Sequence, residues 1–246
     1  MRRLKHRATT DRSSTVPPLS SLRILCALNG SNSSSLAPSP PVDPDPISFI
    51  LSGIMKTPNL ETLAGHYAAI LAEIGADLQS EGLRETPMRA AKAIVEMTEG
   101  SRMSTEQLTK MFEAECKTAV CHDMVIVEDI HEVGLCEHHL LPILMSITIA
   151  YVPDRKILGL SKLSRIAAYF ARRWQNQERT AHQIAEFVEK TVEALGVAVL
   201  IDGKHMCAMA RGARDSHSVM KVNVMHGVFQ KDPNVRNELF MRLGRK

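Results

Sequence analysis

A chain of 246 residues with 44% apolar and 23% charged side chains has ordinary globular composition, enough for one large domain or two small ones. No apolar run approaches the roughly 18 residues of a membrane span. Five Cys at positions 26, 116, 121, 136 and 207 are too scattered for a disulfide framework, which points to a reduced, cytoplasmic setting. The formal charge of +3 is uneven: residues 1–40 carry six basic groups and one acid, net +5, leaving −2 elsewhere and no basic stripe for nucleic acid.

Residues 1–56 are rich in Ser and Pro, with Ser33-Ser34-Ser35 and Pro38-Ser39-Pro40-Pro41. Such a segment buries too little apolar surface to order itself. A disordered tail, an Arg- and Ser-rich organelle transit peptide, and translation starting at Met55 all stay open. Thr57-Pro58 predicts a helix start, and Leu60, Leu63, Ala64, Tyr67, Ile70, Leu71 and Ile74 follow at helical spacing. Thr86-Pro87 predicts a second helix to about Met97, and Ser104-Thr105-Glu106-Gln107 fits a capping box before a third. Residues 57–118 thus read as a helical N-terminal part.

From residue 119 the pattern changes. Residues 124–127 and 143–151 are β-branched and aliphatic runs, read as strands. Ser161 opens a helix with Leu163, Ile166, Ala167 and Phe170 on one face. A second helix, about 180–194, turns Ile184, Phe187, Val188 and Val192 inward. Residues 197–201 and 220–229 read as two further strands, and Asp232-Pro233 starts a short last helix. The expectation for residues 119–246 is an α+β domain with an antiparallel four-stranded sheet in strand-strand-helix-helix-strand-strand order. Two helices can cover one sheet face only. The other face and the edges call for further copies of the chain, joined edge to edge in a closed ring.

The chemistry gathers in Cys136-Glu137-His138-His139 and His205-Met206-Cys207. Sulfur and imidazole nitrogen are the donors zinc prefers. Cys136, His139 and Cys207 make a three-ligand set that leaves a fourth position open, the pattern of a catalytic rather than a structural site. His138 and His205 stay beside it as proton carriers. Singly, each thiol would be read as packing; the clustering carries the reading.

These stretches resemble the GTP cyclohydrolase I family, in company with Thr86-Pro87-Met88-Arg89, Gly159-Leu160-Ser161-Lys162-Leu163 with Arg165, Gln175, Gln177-Glu178-Arg179, Arg211-Gly212 and Gly227-Val228-Phe229. The resemblance runs from about Thr57 to the C-terminus. It implies the T-fold (tunnelling fold) and a homo-oligomer, expected as a decamer of two stacked rings with active sites at subunit boundaries. It also implies hydrolysis of GTP at C8, with formate release and rearrangement to 7,8-dihydroneopterin triphosphate. Zn2+ would sit on Cys136, His139 and Cys207 and activate the attacking water. His205 would protonate the opening imidazole ring, and His138 would be the second acid–base group. Glu178 would read guanine by accepting from N1–H and the 2-amino group, and would reject adenine by being left unpaired. Gln177 would be a supporting contact to the base. Lys162, Arg165, Arg211 and Arg89 would clamp the triphosphate, with Arg89 from a neighbouring chain. Ser161, counted with the catalytic set, would add backbone donors and a hydroxyl at a helix N-terminus.

Some positions depart from the family pattern. Residues 218–225 are not rich in Ser and Thr as is usual there, His226 stands where a small or different residue is common, Ile143 and Met145 stand where Phe and Gly are frequent, and Trp174 and Asn176 are unusual. Cys116 and Cys121 have no assigned role. Two other readings stand beside the enzyme: a zinc-stabilised ring acting as scaffold or regulator, and another T-fold pterin or deazapurine enzyme in which Cys136 is a nucleophile. The pathway served stays open among folate, tetrahydrobiopterin and deazapurine products.

Overall fold

A five-stranded sheet carries the candidate chemistry at one end. In the computed structural model, which describes residues 57–105, 108 and 123–244, its strands are β1 (Val125–Cys136), β2 (Pro142–Val152), β3 (Trp174–Gln175), β4 (Gly196–His205) and β5 (Met220–Gly227). Their spatial order is β3-β1-β2-β4-β5. Pairing is antiparallel except at β3, which runs parallel to the end of β1 through Leu135↔Trp174 and Cys136↔Gln175. The expected count of four is therefore corrected to five. A two-residue strand leaves no apolar run to read; only its backbone pairing, such as Glu137 N–H donating to the Gln175 carbonyl at 3.1 Å, defines it. β1 is also longer than its apolar run, because a bulge between Val127 and Ile130, with Asp129 at φ 55, breaks the alternation.

Helices α3 (Leu160–Ala171) and α4 (Gln177–Val192) cover one face. Ile147, Ile149 and Tyr151 of β2 and Val197, Val199 and Ile201 of β4 pack there against Leu163, Ile166 and Phe170 of α3 and Ile184, Val188 and Val192 of α4. The α4 helix begins three residues earlier than expected because Asn176 caps it, its side-chain oxygen accepting the Arg179 N–H at 2.8 Å. The α3 helix starts at Leu160, with Gly159 before it and Ser161 one residue inside.

The expectation of a bare second face needs correction. At Gly227 (φ 59) the chain leaves β5 and turns into α6 (Val228–Lys231) and α7 (Pro233–Arg242); short α5 (Met206–Met209) follows β4. A Cβ at Gly227 would lie 2.1 Å from the Leu195 carbonyl oxygen, so the turn requires glycine. Phe229, expected in a strand, is the second residue of α6. With Leu239 it buries Ala150, Val152, Ala198 and Leu200, forming a second core. The other half of that face keeps Val133 and Leu144 exposed.

Helices α1 (Leu60–Glu73) and α2 (Thr86–Met97) pack on each other. The true cap of α1 is Asn59, which accepts the Thr62 N–H at 2.8 Å, not Thr57-Pro58. Thr86 is the first residue of α2 rather than its cap, and its hydroxyl donates to the Gly82 carbonyl. No residue of α1 is buried, and Ile70 and Ile74 are exposed. One 3-10 turn, Glu99–Ser101, ties the pair to the sheet domain. Gly100 N–H donates to the Arg172 carbonyl at 2.9 Å, and Arg172 bridges Glu99 at 2.6 Å and Glu132 at 2.9 Å. The described residues belong to the compact unit Ile47–Lys246. Most of the third expected helix, the 118/119 boundary, Cys26, Cys116, Cys121 and residues 1–56 lie outside the described residues. Among the described residues no helix is long and apolar enough to cross a membrane.

Candidate active site

Cys136 ends β1, His139 lies in the following turn, and Cys207 sits in α5 just after β4. The turn is tight: Leu140 N–H donates to the Cys136 carbonyl at 2.8 Å, and Cys136 N–H to the Leu141 carbonyl at 2.9 Å. Leu140 takes the left-handed conformation (φ 56), which folds the loop back over Cys136. The ligand atoms of Cys136, His139 and Cys207 all lie within 4.8 Å of one another. Cys136 Sγ is 3.9 Å from Cys207 Sγ and 3.7 Å from His139 Nδ1. A tetrahedral zinc, with Zn–S about 2.3 Å and Zn–N about 2.0 Å, demands S···S near ~3.8 Å and S···N near ~3.6 Å. The residues therefore fit the ion. Burial, and then the adjacent Cys136 thiol, pushes the Cys207 thiol above its usual range.

His138 also faces this sulfur, its Nδ1 3.8 Å from Cys136 Sγ, while its ring stays exposed. Glu137 does something the sequence did not reveal. Arg179 holds it with two bonds, Nη1 to Oε2 at 2.6 Å and Nη2 to Oε1 at 3.0 Å, and Asn176 Nδ2 donates to it at 3.1 Å. The Arg179 guanidinium holds the Glu137 carboxyl below the usual carboxylate range. Through this bracket the metal-side turn is fastened to the first turn of α4, where Gln177 and Glu178 lie. The signal was present as an acid inside the Cys-x-x-His run and an Asn cap before an Arg, but charged residues are usually solvated.

His205 stands at the end of β4, and its Nε2 lies 3.0 Å from Gln177 Oε1. Burial pushes its imidazole below the usual range, and the Glu178 carboxylate opposes that shift. Glu178 is exposed on this single chain, whereas Gln177 is fully buried. Cys136, His139, Cys207 and His138 thus gather in one place, and Gln177 and Glu178 flank His205.

The phosphate-binding candidates are spread out. The last residue of α3, Ala171, touches β1 at Gly134, near the metal end. Ser161 is ten residues up that helix, about 15 Å away. Lys162 is buried there, Arg165 is exposed, and Arg211 is exposed in the stretch after α5. Arg89 on α2 is paired with Glu85 at 2.6 Å, both exposed. Arg211 follows Cys207 by four residues, whereas Ser161 and Lys162 lie at the far end of α3 from Gly134.

A sequence profile described as GTP cyclohydrolase I matches residues 63–244. The chain belongs to the GTP cyclohydrolase I family. A GTP cyclohydrolase 1 of Pseudoalteromonas translucida is 46% identical over 179 residues, covering 72% of this chain and 94% of that protein. Those of Hahella chejuensis and Coxiella burnetii are 45% and 44% identical, covering 73% and 75% of this chain and 94% and 98% of theirs. Among solved structures, an archaeosine synthase of the QueF-like type covers 42% of this chain and 93% of its own at 14% identity, with a TM-score of 0.36. A dihydroneopterin aldolase of E. coli in complex with neopterin covers 43% and 99% at 16% identity, with a TM-score of 0.34. The family's T-fold is the α+β architecture described above, as the strand and helix order led one to expect.

Proposed function

We infer that this chain hydrolyses GTP at C8, releases formate and rearranges the product to 7,8-dihydroneopterin triphosphate. One observation supports the reading within the family: three soft donors from two distant segments lie within 4.8 Å of one another, with Cys136 Sγ 3.9 Å from Cys207 Sγ and 3.7 Å from His139 Nδ1. Bound there, zinc supplies Lewis acidity, lowering the pKa of water to about 7 and making a nucleophile available at neutral pH. Cys136, His139 and Cys207 hold it. His205 hands a proton to the imidazole ring of the base as it opens, and His138 serves the later proton transfers. Glu178 accepts the paired donors of guanine and gives the site its preference over adenine.

Lys162, Arg165, Arg211 and Arg89 are the triphosphate clamp, with Ser161 adding donors from the start of α3. The separation between the α3 start and the Cys136 end supports a clamp supplied by a neighbouring copy, so the working form is a homo-oligomer with sites at subunit boundaries. A decamer of two stacked rings fits this need. The exposed Val133 and Leu144 on the open half of the sheet also favour self-association.

The test uses one purified sample: zinc per chain, and fluorescent pterin after oxidation of the product formed from GTP. We expect Glu178→Ala to retain zinc and assembly and to lose turnover. His138→Ala and His205→Ala should retain zinc and lose pterin. A zinc-loaded ring without turnover would instead make the chain a scaffold.

A further inference from the structure

Gln177 is fully buried at the start of α4, and its amide is engaged on every side. Nε2 donates to the Ile201 carbonyl of β4 at 2.8 Å and to the Met220 carbonyl of β5 at 2.9 Å, while Oε1 faces His205 Nε2 at 3.0 Å. A carboxamide nitrogen has two hydrogens, and both are used. The two carbonyls decide which end is which. Turned over, the amide would press its oxygen against two other oxygens and leave them unpaired in the interior. With the amide fixed, only an acceptor faces His205, so His205 Nε2 carries a hydrogen and Nδ1 is the nitrogen left to exchange protons. Gly203 belongs to the same arrangement: a Cβ there would fall 1.9 Å from Gln177 Oε1, so β4 has room for the amide only because glycine stands at that point.

We propose that Gln177 is a positioning residue for His205, not a contact to the base: it holds the ring and its Nε2–H tautomer so that proton transfer runs through Nδ1. This rests on the reading of His205 as the proton carrier in GTP ring opening. A base contact acts on binding, whereas a residue acting through His205 acts on the chemical step.

The full-length zinc-loaded protein is assayed as wild type, Gln177→Leu and Gln177→Glu. We expect Gln177→Leu to lower kcat about 100-fold, with KM for GTP and zinc per chain near wild type. Gln177→Glu, which in its protonated form keeps an acceptor toward His205 and an O–H toward the Ile201 or Met220 carbonyl, should recover part of that loss. A raised KM with kcat preserved, or no change, overturns the proposal. A second readout needs neither turnover nor a substitution at Gln177. Solid-state NMR of protein carrying 15N-histidine, with His205→Ala subtracting one signal, reports the tautomer of the neutral ring in mildly alkaline buffer. Nε2–H supports the proposal, and Nδ1–H overturns it. Wild type that shows Nε2–H but leaves GTP intact would sink the functional reading and leave the tautomer assignment standing.

Discussion

Cys136 and Cys207 lie 71 positions apart in the chain and 3.9 Å apart in space, so the sheet brings the candidate ligands together. Cys136→Ala and Cys207→Ala should each lose stoichiometric zinc together with GTP turnover; full zinc in either, measured by elemental analysis, would remove that residue from the ligand set. The ligand candidates were legible because thiols and imidazoles are rare and chemically specific. Glu137, Asn176, Arg179 and the place of Gln177 were not, because amides and charges act through whichever carbonyls and carboxylates the fold brings near. A buried hydroxyl gives a separate test. Tyr151 OH accepts the Leu158 N–H at 3.0 Å, and burial raises its pKa above the usual tyrosine range. Tyr151→Phe leaves that N–H unpaired, at about 1–3 kcal/mol. The raised value means the neutral phenol stabilises the fold fully below about pH 10, and this is lost as pH rises through the folded-state value. Urea midpoints should therefore fall less steeply above about pH 10 in Tyr151→Phe than in wild type.

Element by element, helix and strand types followed from apolar spacing, while their ends depended on single side chains and on pairing. Asn176 and Asn59 moved two helix starts, and the bulge at Asp129 hid most of β1. β3 was invisible because two residues of parallel pairing have no pattern. At the join between the helical pair and the sheet domain, a Cβ on Gly100 would lie 2.4 Å from the Tyr169 carbonyl oxygen. Gly100→Ala should cost about 1–3 kcal/mol by overpacking. Arg172→Ala, which strands Glu132 and Glu99, should raise hydrogen exchange in residues 60–97 while β2 and β4 stay protected. Equal exchange in wild type and variant would show that other contacts hold the pair.

For the molecule as a whole, the sheet has two unlike halves on its second face. One is closed by Phe229 and Leu239 of the same chain; the other carries a cavity of about 620 Å³ lined by Val133, Leu144, Ser146, Asp202, Lys204 and Val219. The thin layer was legible in the sequence, but the closing of half its second face by Phe229 and Leu239 was not, since Phe229 sat in an apparent strand. Leu144→Lys places a charge in that open half. It should shift sedimentation from the assembly toward single chains and reduce turnover with it; an unchanged sedimentation profile would locate the subunit contact elsewhere. The closed half has a consequence for synthesis. The residues that seal it, with β5, are translated after the strands they cover. Until they emerge from the ribosome, β4 is a bare edge and Ala198 and Leu200 face water, a state that recruits chaperones or other nascent chains. A stop codon shortly after Gly227 would keep β5 on the β4 edge but leave Ala198 and Leu200 permanently uncovered.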